Sequence, residues 1–223
     1  MPATLSDAVG LAPGVGVAAF GGSVVVLDIW ANRYTQYSGQ LADALQELAD
    51  RDFCDLSRHT RDGLGRRGLL DDGARPSGPW LDAKDIPEPQ ASVVEGPERA
   101  RSLTWHDGSV AIACLVARLD LRIRPLHVIL GSLSLSHRGH STADLVAYAR
   151  NFDRARRLAP VAPRCLPDAL AFVCRARQIG HPVHLVFGVK LHPFEAHCWA
   201  QCADLVLTDP LDRVRRFVPI LVV

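Results

Sequence analysis

The sequence contains no uninterrupted apolar stretch long enough to span a bilayer. Its opening residues, MPATLSDAVG, lack the basic and apolar regions of a secretion signal. Both absences point to a cytoplasmic protein. Net charge is also scarce, +1 from 25 basic and 24 acidic residues, which leaves no electrostatic footprint for nucleic acid. The one dense basic run, Arg213, Arg215 and Arg216, is short and reads as a solvated loop or strand edge. No internal repeat is present.

Metal and cofactor signatures are missing as well. There is no C-x-x-C pair and no H-E-x-x-H. The six cysteines (54, 114, 165, 174, 198, 202) are expected to be reduced in a cytoplasmic protein, so each is read singly. In a strand, Cys198 and Cys202 stand roughly 13 Å apart, too far for one metal, and His197 points to the opposite face. The other histidines (59, 106, 127, 137, 140, 181, 184, 192) show no ligand spacing, and His137 and His140 read as loop residues. Gly-x-Gly-like stretches at 14–16 and 63–65 lack the strand-turn-helix context of a phosphate loop. No cofactor is expected.

What is present is an ordinary globular composition, 48% hydrophobic and 22% charged over 223 residues, enough for one large domain or two small ones. Residues 71–97 hold five prolines and no helical or strand period, and read as a linker. The division expected is a small N-terminal domain at 1–72, a Pro-rich linker at 73–100 and a larger C-terminal domain at 101–223.

In the N-terminal part, Val15–Phe20 and the β-branched Ser23–Asp28 read as strands joined by a Gly21-Gly22 turn. Arg33–Tyr37 alternates and reads as a third, exposed strand. Leu41, Ala44, Leu45 and Leu48 give a helix over Gln40–Leu48, and residues 52–70 look helical with glycine interruptions. In the C-terminal part, Ser109–Leu119 reads as a buried helix and Leu126–Leu133 as helix or strand. Ser141 or Thr142 caps a helix running to Leu158. A further helix runs from Cys165 to about Gln178. Strands follow at Pro182–Val189, Ala196–Gln201, Leu205–Asp209 and Phe217–Val222.

Cys165 opens its helix. There the helix dipole lowers a thiol pKa, and a free backbone N–H can bind an oxyanion. The alternative is an inert small core residue. His197 shares a strand face with Trp199 and Gln201. A three-residue hairpin loop, Cys202-Ala203-Asp204, sets Asp209 opposite His197, close enough to orient the imidazole. A two-residue turn moves Asp209 opposite Cys198 instead. Asp204 and Asp212 are weaker candidates.

Four blocks, RCLPDAL (Arg164–Leu170), LVFGV (Leu185–Val189), PFEAHCW (Pro193–Trp199) and LTD (Leu207–Asp209), resemble the lasso-peptide biosynthesis B proteins. The resemblance covers residues from about 100 to 223. It implies an α+β protein whose C-terminal half is a transglutaminase-like (papain-like) cysteine peptidase, with Cys165 as nucleophile, His197 as base and Asp209 as orienting acid. Cys198 and Pro167 depart from the family pattern at positions expected to carry no chemistry. The first seventy residues are similar to the family's PqqD-like winged-helix domain, through the strand order and VVVLD…RYTQYSG. That likeness implies a leader peptide added as a strand along Arg33, Tyr34, Thr35, Gln36 and Tyr37. Partners implied are the precursor leader and the asparagine-synthetase-like lasso cyclase, with no nucleic acid and no membrane. A transglutaminase-like acyltransferase and a non-catalytic peptide-binding protein are the competing functions. They differ from a peptidase in the acyl acceptor and in the need for the three site residues.

Overall fold

The computed structural model describes residues 9–51, 56–95, 105–133, 142–159 and 162–223. Cys54, His137, His140 and the cap expected at Ser141 lie outside the described residues. The chain forms two compact units, Met1–Trp80 and Leu81–Val223.

The first unit is built from local pairings. β1 (Val15–Phe20), β2 (Ser23–Asp28) and β3 (Arg33–Ser38) form an antiparallel sheet in chain order. Phe20 pairs with Ser23 across a Gly21-Gly22 turn, whose φ angles of +43° and +95° suit glycine. α1 (Gln40–Arg51) lays Ala44, Leu45 and Leu48 on Val24 and Val26 of β2, which makes the core. α2 (Arg58–Gly65) is shorter than the 52–70 reading. Ser57 caps it by accepting from the Thr60 N–H, and its Leu64 enters the same core. β3 pairs only with β2, so its outer edge is unpaired among the described residues.

The second unit is an α+β arrangement. α3 (Trp105–Ile123), α5 (Thr142–Leu158) and α6 (Cys165–Gln178) pack together. α6 in turn packs on a five-stranded sheet of order β4-β7-β6-β5-β8. The strands are β4 (Ala91–Ser92), β5 (His184–Lys190), β6 (Glu195–Cys202), β7 (Leu205–Val206) and β8 (Val218–Val222). Leu126–Gly131 is helical, α4, and Leu211–Val214 forms the short α7. Buried Phe172, Leu170 and Val173 fill α6's contacts, with Phe152 edge-on to Phe172 at 5.1 Å.

Three expectations need correction. The stretch read as a linker at 73–100 is not one throughout. Leu81 bridges to Val222, and Ala91 and Ser92 pair in parallel with Leu205 and Val206, so residues 81–95 belong to the second unit. Pro87 and Pro89 precede this short edge strand, and their carbonyls accept from Gln201 and Arg215 at 2.7 and 3.1 Å. α3 is not buried all round. Its Cys114 and Ala117 face inward, while Ile112, Leu115, Val116, Leu119 and Ile123 form an exposed stripe. Finally, the Leu205–Asp209 strand stops after Val206. Among the described residues no helix is long and apolar enough to cross a membrane.

One buried cation ties this unit together. Arg177, at the end of α6, donates to the carbonyls of Val183, Leu133 and Val223 at 2.8, 3.0 and 2.7 Å. Burial lowers its pKa to about 10.

Candidate active site

α6 starts where the sequence places it. Arg164 is its N-cap, in extended conformation, and Cys165 is the first helical residue. No side chain caps the helix there. Instead Asp168 folds back to accept from the Arg164 N–H at 2.9 Å, and Arg156 of α5 holds that carboxylate at 2.9 Å. Pro167 fits because first-turn N–H groups have no intrahelical acceptor. The Cys165 N–H is left in the same position, available to an oxyanion. Cys165 itself is exposed, whereas Cys114 and Cys198 are buried.

His197 and Asp209 meet, but through a different path from the expected hairpin. The turn has two residues, with Gln201 pairing to Val206 and Cys202 to Leu205, and Ala203 takes φ +49° to make it. Continued, that register would set Asp209 opposite Cys198. The chain leaves the ladder instead. The Leu207 N–H still bonds the Ala200 carbonyl at 2.9 Å, but the Ala200 N–H donates to Thr208 Oγ1 at 2.9 Å. Thr208 Oγ1 then donates to Asp209 Oδ2 at 2.9 Å, and Ser92 Oγ donates to the Asp209 carbonyl at 2.7 Å. So held, Asp209 places Oδ1 2.9 Å from His197 Nε2. His197 Nδ1 is therefore the nitrogen left for the thiol.

The early end of β7 has a second effect. N–H groups two apart on a strand point the same way. The Cys198 N–H therefore points as the Ala200 N–H does, toward the edge that β7 no longer covers. Cys165 occupies that edge. Its pKa falls to about 4. The Cys198 thiol, donating to the Cys165 sulfur, is the largest cause, and His197 and the Cys198 N–H add to it against the opposing effect of burial. Cys198 stays protonated, its pKa raised well above 9.0 chiefly by burial. Burial works against charge on His197 too, but hydrogen bonds to Asp209 and Cys165 raise its pKa to about 9. Between those values the pair is a thiolate and an imidazolium.

Cys198 was expected to carry no chemistry, yet its thiol hydrogen-bonds the sulfur of Cys165. Only its strand parity was legible, and parity set it on the core face without showing that α6 starts there. Gly188 was also missed. It pairs with His197 across β5, and a Cβ there would lie 2.7 Å from the Trp199 ring and 3.0 Å from Phe217. Its bareness lets Trp199 lie flat, stacked on His197 with centroids 6.2 Å apart. Gln201 accepts the Trp199 N–H at 2.9 Å and fixes that ring. Ser92 and Thr208, which hold Asp209, give no sequence signal beyond Thr208's place in the LTD block.

A cleft of about 310 Å³ opens beside the pair, lined by residues of α5, α6, β6 and the Leu207–Arg213 segment. Among the described residues no cluster of His, Cys, Asp and Glu could hold a metal ion. Arg33, Tyr34, Thr35, Gln36 and Tyr37 lie on β3 of the first unit, with Arg33 and Gln36 exposed and Tyr34, Thr35 and Tyr37 half-buried.

A cysteine at a helix start thus meets a strand histidine and an aspartate that follows it. A family model for the transglutaminase-like superfamily matches residues 111–222, half of the chain. The chain belongs to the transglutaminase-like superfamily. No curated protein and no solved structure matches it significantly. The family span of this transglutaminase-like chain contains Cys165, His197 and Asp209 together with α6 and β5 to β7. Its boundaries exclude the three-stranded unit entirely. Cysteine acyl chemistry, as in a peptidase or an acyltransferase, is compatible with that membership.

Proposed function

We propose that the chain is a cysteine peptidase that removes the leader from a lasso-peptide precursor in the cytoplasm. The observation that carries this reading is the Cys165–His197–Asp209 constellation, with an exposed thiol of lowered pKa beside a charged imidazole. The thiolate attacks the scissile carbonyl, and the Cys165 N–H donates to the oxyanion that forms. His197 gives its proton to the departing amine as the C–N bond breaks, which leaves a thioester. His197, now neutral, takes a proton from water. The hydroxide adds to the thioester, the C–S bond breaks to free the acid, and the Cys165 thiolate is left beside the His197 imidazolium. Asp209 holds the ring in the right tautomer throughout.

The first unit supports the peptidase over other acyl transfer. We read it as a PqqD-like leader-recognition domain whose β3 takes the leader as an added strand. An open, polar and aromatic edge suits backbone pairing that tolerates leader variation. Binding energy gathered there is spent on holding a weakly specific junction at Cys165. The released segment then passes to the pathway's asparagine-synthetase-like cyclase.

The test is incubation of the full chain with lasso-type precursor peptides that carry their leaders, followed by mass spectrometry. One cut at the leader junction, absent with Cys165→Ala while that variant still binds the leader, is the expected result. Efficient incorporation of an added amine in place of hydrolysis would make the protein an acyltransferase. An Ala variant that cuts normally would remove Cys165 from the chemistry.

A further inference from the structure

The cleft beside Cys165 is lined by four arginines, Arg156, Arg157, Arg164 and Arg213. Two are engaged. Arg156 holds Asp168 at 2.9 Å and Arg157 holds Asp153 at 2.8 Å. The third carboxylate of the lining, Asp209, is bound to His197. Glu195, close enough to feel the charge of Arg213, is ion-paired to Lys190 at 2.6 Å. Arg164 and Arg213 are exposed, and among the described residues neither side chain has an ion pair or hydrogen bond.

One of these cations stands beside Cys165 and the other near His197. Arg164 immediately precedes Cys165 on α6. Arg213 stands on α7, near enough for its charge to oppose protonation of His197. Each carboxylate of the cleft is matched within the protein, so two positive charges there have no counter-charge of its own. A guanidinium held at a cleft wall is suited to a planar carboxylate.

We propose that the cleft selects peptides with an acidic side chain close to the scissile bond, bound by Arg213 on the leaving side and by Arg164 on the acyl side. The sides follow from the chemistry. His197 protonates the departing amine, so the departing segment runs beside His197 and meets Arg213. The acyl carbon stays on Cys165, next to Arg164. This rests on the peptidase reading for its substrate, but the charge arrangement can be tested without it.

Full-length protein is alkylated with iodoacetate and, separately, with iodoacetamide. The rate at Cys165 is followed by mass spectrometry of the peptide that contains it. Both reagents lose iodide to the same thiolate and differ only in the carboxylate. The iodoacetate-to-iodoacetamide ratio should fall about fivefold in Arg213→Gln and in Arg164→Gln, and should be largely kept in the Lys variants. Thermal melts identify any variant that has not folded, and for such a site the wild-type ratio should fall with added salt. An unchanged ratio in both Gln variants, or no salt dependence, overturns the proposal.

A second arm uses junction peptides that differ by Glu or Gln just after the cut. The Glu peptide should have about tenfold higher kcat/KM. That preference should vanish in Arg213→Gln and survive in Arg164→Gln. Equal rates for the two peptides contradict the specificity. If no peptide is cut at all, it is the peptidase reading that fails, and the alkylation ratios still judge the arginines.

Discussion

Each unit leaves a strand edge open, and the two edges differ in kind. β3 exposes its whole outer side, with polar and aromatic residues and no cluster of titratable groups. β6 is open only beyond the point where β7 stops, and that short gap is filled by the thiol of Cys165 against the N–H and S–H of Cys198. A long open edge offers repeated backbone bonds and so suits binding. A short one, closed by a helix end, concentrates donors on one atom and so suits chemistry. The proposed division of labour between the units rests on this contrast.

The contrast breaks first at Asp209. Asp209→Asn keeps the shape but removes the charge that supports His197. kcat for precursor cleavage should fall on the order of 10²–10⁴-fold. The alkaline limb of the pH profile should move below its wild-type position near 9, because Asp209 is a principal cause of the raised His197 pKa. An alkaline limb that stays in place would mean that another group holds the imidazolium.

The binding edge gives the next largest effect. Successive N–H groups of a strand alternate between its two edges. Of Thr35→Pro and Gln36→Pro, one therefore removes an outward donor and the other an inward one bonded to β2. The outward variant should stay folded and bind leader about tenfold or more weakly, with little change in cleavage of a leaderless junction peptide. Hydrogen exchange with saturating leader should show protection in residues 33–38. Protection confined to the Cys165 region would remove the edge-strand reading.

These sites also show what a sequence makes legible. The first unit's sheet is a meander of neighbours, so alternation, a Gly21-Gly22 turn and β-branched residues were enough to place its strands. The second sheet is not. β4 pairs in parallel with β7, more than a hundred residues away, and two-residue strands carry no period to read. That is why 81–95 looked like linker. At the site, Cys165 and His197 were legible at the right places in their elements, and Asp209 only as a residue type that follows the hairpin. The path of Asp209 was not, because it depends on Thr208 and Ser92 hydroxyls replacing a ladder that the alternation pattern continues on paper. Cys198 was seen as a core residue because parity reports a face and not what packs on it.

The smallest expected effect tests that residue. Cys198→Ala removes the largest cause of the lowered Cys165 pKa but leaves His197 in place. The acid limb of activity should rise by about one to two pH units, the worth of one hydrogen bond to a charged sulfur. The rate at neutral pH should change little. An acid limb that does not move would leave His197 as the dominant partner of the thiolate.

The central claim is a thiolate–imidazolium pair, and the pH dependence of Cys165 alkylation by iodoacetamide reads it directly. The Cys165 pKa is lowered to about 4 and the His197 pKa raised to about 9, so the thiolate should react from mildly acidic pH upward. The rate should rise through a first step near 4, stay level through neutrality and change again near 9 as His197 loses its proton. A single rise at the usual thiol pKa, about 8.5, with no reaction at pH 6, would contradict the account.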